Sequence, residues 1–203
     1  MRLRDGWIRS VTVLAAAVLV VASARSQELA TDTPEATVQT LHRGLIESAQ
    51  STVGLEQRYR ALQPLIVATH DLPYIAEFSI RRQWPTISVE DRQRFTAAFE
   101  KLSVMTYASR FKAVSEDTFK VTGEGQVTAG RAQITAAIKR TDAPDLPLDY
   151  LLHERDGSWK VINIVADGVS DLALKRAEYQ GILTSGSIDD LIAHLEAQTA
   201  RLE

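Results

Sequence analysis

Four histidines are the side chains of this chain best suited to metal binding or proton transfer. They are His42, His70, His153 and His194. They lie far apart in the sequence, and none has a neighbour at the spacing of a metal motif such as HExxH. We therefore expect solvated or locally hydrogen-bonded histidines and no metal site.

The acidic and hydroxyl side chains also lack a catalytic pattern. Glu116-Asp117 and Asp189-Asp190 are adjacent pairs, so their members do not face each other across a cleft. Asp167 ends an apolar run and could act as an acid or base, but aspartate before glycine is typical of a turn. Ser170 is not at a nucleophile elbow, because Leu172 stands where the second glycine is needed. We interpret Ser170 as a helix N-cap, and expect no catalytic residue.

The first 24 residues have the pattern of a secretory signal peptide. A basic start precedes a nearly apolar run from Ile8 to Ala22, and Ala22-Ser23-Ala24 offers small residues for cleavage after Ala24. The run is short for a membrane span, which needs about 20 residues, although an uncleaved anchor is the alternative. We therefore predict export to a bacterial-type periplasm, with residues 25–203 forming one domain.

Composition excludes several classes of function. The chain has no cysteine, and so no disulfide, thiolate metal site, cysteine nucleophile or lipid-modified cysteine. Loss of the leader removes three arginines and one aspartate and changes the formal net charge from −3 to −5. A mildly acidic protein is a poor candidate for binding nucleic acid. Gly123 and Gly125 lack the third glycine and following helix of a dinucleotide site, so no cofactor is expected.

The first half of the mature chain has the apolar periodicity of helices. One helix is predicted to start at Thr33-Pro34, and a second contains Pro64, which should kink or split it. A third is predicted from Asp71 to about Trp84, and a long fourth from Ser88 to about Val114. The apolar surface of the fourth changes sides along its length. It therefore lies between two layers or lines a cavity.

After Asp117 the apolar period changes from 3.6 to 2, which predicts four or five strands. They are Thr118–Thr122, Gln126–Thr128, Ala132–Lys139 and the two arms of a hairpin over Leu148–Val165. Turns are predicted at Gly123–Gly125 and Asp156-Gly157. The arm Trp159–Val165 is apolar on both faces, which predicts a central strand. With closing helices after Ser170 and Ser187, the class is α+β, with helices on one face of an antiparallel sheet.

Two stretches resemble the MlaC-like family of periplasmic phospholipid carriers. One runs from the DGSWKV hairpin through Asp167-Gly168-Val169-Ser170 to GSIDDLIAHL, and the other from Trp84 to Arg110. Together the resemblance spans about residues 34 to 196. After Ser170 the run DLALKRAEY keeps only Arg176 of the family's usual Asn-Tyr-Arg. The run DLALKRAEY is similar to the hopanoid-associated branch of the family, HpnM.

The resemblance implies a curved sheet covered by helices and enclosing an apolar pocket for lipid tails. It implies a non-enzymatic carrier of a phospholipid or hopanoid, working between an inner-membrane transporter complex and possibly an outer-membrane lipoprotein. The residues expected to line the pocket are Leu72, Ile75, Phe78, Phe99, Leu102 and Tyr107 from the helices, Ile134, Ile138, Tyr150, Leu152, Trp159 and Val161 from the sheet, and Val169 and Leu172 near the rim.

Two alternatives remain open at this stage. The protein could be a scaffold or binding subunit of an envelope transporter, with a filled core and no ligand. It could instead be an enzyme on a similar fold, with Asp167 or His153 as a base inside the cavity. A continuous cavity between sheet and helices would argue against the scaffold. A base directed into an enclosed space would favour the enzyme.

Overall fold

The computed structural model describes residues 29–50 and 53–203. The predicted leader at residues 1–24 lies outside these ranges. The described helices are α1 (Pro34–Gln50), α2 (Leu55–Thr69), α3 (Leu72–Ser79), α4 (Val89–Arg110), α5 (Asp171–Ser185) and α6 (Ile188–Leu202). The strands are β1 (Phe119–Thr128), β2 (Arg131–Ile138), β3 (Leu146–Arg155), β4 (Ser158–Ala166) and β5 (Val169–Ser170).

The five strands form one antiparallel sheet in sequence order, and the helices pack on one of its faces. The alternation of buried and exposed residues along β2 shows the two faces of the sheet. Apolar side chains from the helices and from the inner sheet face form one continuous core. The predicted α+β class and the number of strands are confirmed.

Helix starts follow the predicted capping residues closely. In each case a side-chain oxygen accepts a hydrogen bond from a backbone N–H three residues on, which satisfies a donor that the helix itself leaves free. The residues are Thr33, Asp71, Ser88, Ser170 and Ser187. Local side-chain chemistry therefore sets where these five helices begin.

Helix interiors and ends differ from the predictions in three places. Pro64 lies inside α2, which is one helix, so of the two predicted effects of this proline the split does not occur. Helix α3 ends at Ser79, because Ile80 leaves the helical conformation and its carbonyl accepts from both Gln83 and Trp84 in a tight turn. Helix α4 ends at Arg110, four residues before the predicted end, and Phe111 stacks back on the ring of Tyr107.

The glycine pair in β1 was expected to form a turn, and that prediction is wrong. Residues 119–128 form one strand, and its pairing with β2 shifts register around Gly123. Glycine in a strand commonly marks such a bulge, because it tolerates the distorted backbone. The turn at Asp156-Gly157 is confirmed, with a positive φ at both residues, as Asn-Gly and Asp-Gly turns require.

Strand β4 is not central along most of its length, contrary to the prediction. It pairs with β3 along its length except at a bulge that leaves Ile162 without a partner, but β5 covers only Val165 and Ala166 of its outer edge. The junction between α2 and α3 covers another part, where the backbone N–H of Asp71 donates to the carbonyl of Val161. Residues before α1 cover a further part, where Trp159 donates to Thr31. The edge is thus enclosed mainly by other chain segments. The bulge also moves the inward-facing positions from Trp159 and Val161 to Ile164 and Ala166, so the apolar residues of this strand do not follow one alternation.

Candidate functional site

A cavity of about 620 Å³ lies between one end of the sheet and the helices. Its volume falls within the usual range of small-molecule sites, roughly 300–1,000 Å³. Helix α4 is packed against α2 and α3 and also against α6. Another surface of α4 lines the cavity, through residues that include Phe99, Leu102 and Tyr107. Its change of apolar side is thus explained by four neighbours, which are the three helices and the cavity.

The sheet wall of the cavity follows from the strand register. Ile138 pairs with Leu146, Leu148 with Ala166, and Tyr150 with Ile164. Paired residues project to the same face of a sheet, so these side chains form one surface. All six line the cavity. The wall is therefore the end of the sheet where β2 and β4 finish and β3 begins.

Nine of the residues predicted for the pocket line this cavity. They are Leu72, Ile75, Phe99, Leu102, Tyr107, Ile138, Tyr150, Val161 and Leu172. The structure thus brings together residues from α3, α4, α5 and three strands that are distant in the sequence. Contact of these residues with a ligand stays a prediction.

Three further predicted residues lie on the correct face of the sheet but outside the cavity. Ile134 and Leu152 are fully buried core residues, and Trp159 lies beside α1, where Thr37 donates to the Trp159 carbonyl. Strand alternation identifies the face on which a side chain lies. It does not identify how far along the strands the helices leave a space, so these three residues share the face of the cavity wall without lining the cavity.

Phe78 and Val169 also lie outside the cavity. The guanidinium groups of Arg81 and Arg176 each lie 5.2 Å from the ring centre of Phe78, in cation–π geometry. Val169 is half exposed in the short strand β5. The structure therefore does not bring these two residues together with the nine that line the cavity.

A tyrosine and a histidine form a polar contact in the cavity wall. The Tyr107 hydroxyl oxygen lies 2.9 Å from Nε2 of His70, and both residues line the cavity. Burial lowers the pKa of His70 to about 4 and raises the pKa of Tyr107 well above its usual range. Both side chains are therefore neutral at neutral pH.

A second pair lies beside the first. The Tyr150 hydroxyl is 2.9 Å from Nε2 of His42, whose ring stacks on Phe119 at 4.3 Å. Burial lowers the pKa of His42 to about 4 and raises that of Tyr150. The histidines were expected to be solvated or locally bonded. Three of the four are buried and bonded to residues distant in the sequence.

Asn163 is a cavity residue that the sequence analysis did not single out. Its side-chain oxygen accepts from the backbone N–H of Leu172 and from the Ser170 hydroxyl, each at 3.1 Å. Because a backbone N–H can only donate, these contacts fix the orientation of the amide. The signal was present in the sequence as a single polar residue within the apolar run VINIVA.

Charged residues of three helices also line the cavity. Lys175 is paired with Asp171 at 2.7 Å. Arg110 and Arg201 are exposed and make no ion pair or side-chain hydrogen bond within the described ranges. The sequence analysis missed both arginines, because a helical pattern shows which face is polar but not that the face borders a cavity.

Neither residue considered as a catalytic base lines the cavity. Asp167 occupies a turn with a positive φ of 51°. His153 Nε2 lies 2.8 Å from the Asp71 carboxylate, which Arg155 also contacts at 3.1 Å. Burial alone would raise the pKa of Asp71, but hydrogen bonds from the backbone N–H of Tyr74 and from the side chains of Arg155 and His153 outweigh it, and the pKa is lowered. The group therefore holds α3 to the sheet as a structural ion pair.

Two further properties concern the described ranges as a whole. No helix in them has the length and apolarity that a membrane span requires. No group of three or more potential ligands in them is arranged to hold a metal ion. Both statements concern residues 29–50 and 53–203 alone.

The fold is similar to that of a solved protein structure. A phospholipid-binding protein from Ralstonia solanacearum, solved in complex with a phospholipid, superposes with a TM-score of 0.71 at 19% sequence identity, covering 82% of this chain and 97% of that one. No curated protein sequence matches the chain. The family model described as MlaC protein matches residues 35–197. Because this match covers most of the sequence, the chain belongs to the MlaC family.

Proposed function

We propose that this protein is a non-enzymatic periplasmic carrier that holds the apolar part of a lipid in the cavity. The observation that carries the proposal is a cavity of about 620 Å³ with largely apolar walls, in a chain of the MlaC family. The Ralstonia solanacearum protein that has a similar fold was solved in complex with a phospholipid. The cargo is a phospholipid or a hopanoid, and the departure after Ser170 supports the second.

The energetics of lipid transfer explain what such a cavity must supply. Exposing a lipid tail to water costs about 0.8 kcal/mol per CH₂, on the order of 20 kcal/mol for two ordinary chains. A carrier lowers this cost by offering apolar surface in place of membrane. The six sheet residues of the wall, together with Phe99 and Leu102, supply such surface. No nucleophile, metal or base is needed for this task.

The polar lining suits the headgroup end of a lipid. Arg110 and Arg201 are exposed cations without a protein partner in the described ranges, and both border the cavity. An anionic headgroup beside them would keep its contact with water while the tails are buried. We propose that the carrier receives and delivers its cargo at an inner-membrane transporter complex and an outer-membrane lipoprotein.

The proposal is tested by what the protein carries. The mature chain would be purified from the periplasm of its native host, extracted with organic solvent and analysed by mass spectrometry. We expect about one lipid per folded chain, and its mass distinguishes phospholipid from hopanoid. Folded protein without stoichiometric lipid would overturn the proposal and favour the filled-core scaffold.

A pair of variants locates the lipid. Thr106 lines the cavity, so Thr106→Trp should fill part of the space and lower the amount of lipid recovered per chain. Val169→Trp is the matched control, because Val169 is half exposed and outside the cavity. Circular dichroism would establish that both variants fold. Equal lipid content in the two variants would show that the lipid is held elsewhere.

A further inference from the structure

Three consecutive hydrogen bonds end at the hydroxyl of Tyr107, and their directions can be assigned. The Thr69 hydroxyl lies 2.8 Å from the carbonyl of Leu65, which can only accept, so the hydroxyl proton is committed there. The same oxygen lies 3.0 Å from Nδ1 of His70. Since the Thr69 proton is already used, Nδ1 must carry a hydrogen and donate to Thr69.

The remaining ring nitrogen of His70 must therefore accept. The histidine is buried next to the end of α2, and burial disfavours its charged form, so the ring carries one hydrogen only. That hydrogen is on Nδ1, which leaves a lone pair on Nε2. The Tyr107 hydroxyl, 2.9 Å away, consequently donates its proton to Nε2.

Tyr107 is left with lone pairs and no proton to offer. No other group in the described ranges donates to its oxygen. The residue is only partly buried and lines the cavity, so the oxygen is a hydrogen-bond acceptor within a mainly apolar wall. When a ligand displaces water from the cavity, this acceptor loses its partner unless the ligand brings a donor.

We propose that Tyr107 is a specificity-determining residue, which selects lipids that carry a hydroxyl or amine donor next to their apolar body. A lipid that places only an ether or ester oxygen at Tyr107 sets lone pairs against lone pairs there, and binds more weakly than one that places a donor there. A site built to pair a hydroxyl commonly rejects an analogue that lacks it. This inference rests on the proposed lipid-carrying function and adds the chemistry of the cargo.

The test compares two ligands of nearly equal apolar size, hexadecan-1-ol and 1-methoxyhexadecane. Each would displace a fluorescent fatty probe from the delipidated mature protein, and the two dissociation constants would be compared. One net hydrogen bond predicts that the alcohol binds about three- to tenfold more tightly. Equal affinities in the wild-type protein would overturn the inference and leave the carrier function standing. If neither compound displaces the probe, the inference fails, and the carrier function is judged separately by the lipid recovered from the native host.

Two variants separate the direction of the hydrogen bonds from the size of the side chain. Tyr107→Phe removes the acceptor, so the difference in affinity between the alcohol and the ether should become small. Thr69→Val keeps Tyr107 but removes the group that fixes the proton on Nδ1 of His70. The histidine can then donate from Nε2, which frees the tyrosine proton for an ether oxygen. The difference in affinity between the alcohol and the ether should therefore decrease in this variant too. An unchanged difference in both variants would overturn the assigned directions of the hydrogen bonds.

Discussion

Nε2 of His42, on α1, lies 2.9 Å from the hydroxyl of Tyr150, on β3. The contact joins the helix layer to the sheet wall of the cavity, between residues 108 positions apart in the sequence. Both side chains are buried, so each provides the hydrogen bond that water would make to the other in the unfolded chain. The pair is therefore a buried hydrogen bond that links α1 to β3 at the edge of the cavity.

Removing the Tyr150 hydroxyl should therefore cost stability. Tyr150→Phe leaves a buried histidine nitrogen without its partner, which lowers the free energy of unfolding by about 1–3 kcal/mol. Urea unfolding followed by circular dichroism measures the change. Tyr74→Phe is the matched control, because the Tyr74 hydroxyl makes no hydrogen bond within the described ranges. Equal losses in the two variants would contradict a structural role for the His42 contact.

The two buried histidines make stability depend on pH. His42 and His70 have folded-state pKa values of about 4, against about 6.5 in the unfolded chain. The unfolded chain therefore binds more protons between these values, so the free energy of unfolding falls as the pH falls from about 6.5 to 4. The full loss is on the order of 3 kcal/mol for each histidine. Above pH 7 these two groups contribute no pH dependence.

Urea unfolding at several pH values tests this dependence. His42→Gln removes one of the two titrations, so its stability should fall less steeply between pH 6.5 and 4.5 than that of the wild-type protein. Asp71 adds to the loss only at lower pH, since its pKa is lowered and its contribution disappears when it is protonated. A wild-type stability that is constant from pH 7 to 4.5 would contradict the buried, neutral state of both histidines.

Asp71 should be important for stability and unimportant for the cavity. Its carboxylate is only 5% exposed and pairs with both His153 and Arg155. Asp71→Asn keeps an oxygen that can cap α3 but loses the charge, which lowers the free energy of unfolding by about 2–4 kcal/mol. Asp156→Asn is the control, because its side chain is 95% exposed and lies 3.8 Å from the same arginine. Its loss should stay within about 0.5 kcal/mol.

Lipid binding by Asp71→Asn gives a second measurement. Asp71 and His153 do not line the cavity, so the affinity for a fluorescent lipid should stay near the wild-type value while stability falls. Loss of binding in a variant that remains folded would mean that the ion pair contributes to the site. It would also reopen the enzyme alternative that names His153 as a base.

The sequence was sufficient to predict features that depend on neighbouring residues. The caps at Thr33 and Ser187 and the turn at Asp156-Gly157 are local chemistry, and the structure has them where expected. The α+β class follows from the change in apolar period at Asp117. The change of apolar side along the fourth helix left a cavity as one of two possibilities, and the family resemblance favoured the cavity.

The extent of the cavity could not be predicted from the sequence. Ile134 and Tyr150 are register partners on the same face of the sheet, yet only Tyr150 lines the cavity. The difference is set by the helix layer, which leaves space at one end of the sheet only. Likewise, the bulge at Gly123 forms through pairing with the distant strand β2. No local rule contains that information.

The two unpaired arginines should favour anionic cargo. Arg110 and Arg201 border the cavity and have no ion pair in the described ranges, so a phosphate headgroup can approach them. Exposed ion pairs contribute about 0.2–1 kcal/mol each, so the double variant Arg110→Gln/Arg201→Gln should lose about two- to thirtyfold in affinity for phosphatidylglycerol. The affinity for uncharged diacylglycerol should be unchanged. Arg60→Gln is the control, because Arg60 pairs with Glu56 on the exposed surface of α2.

The preference of the wild-type protein for phosphatidylglycerol over diacylglycerol should weaken as salt is raised, since salt screens exposed charges. A preference that survives in the double variant would show that the headgroup lies away from these arginines.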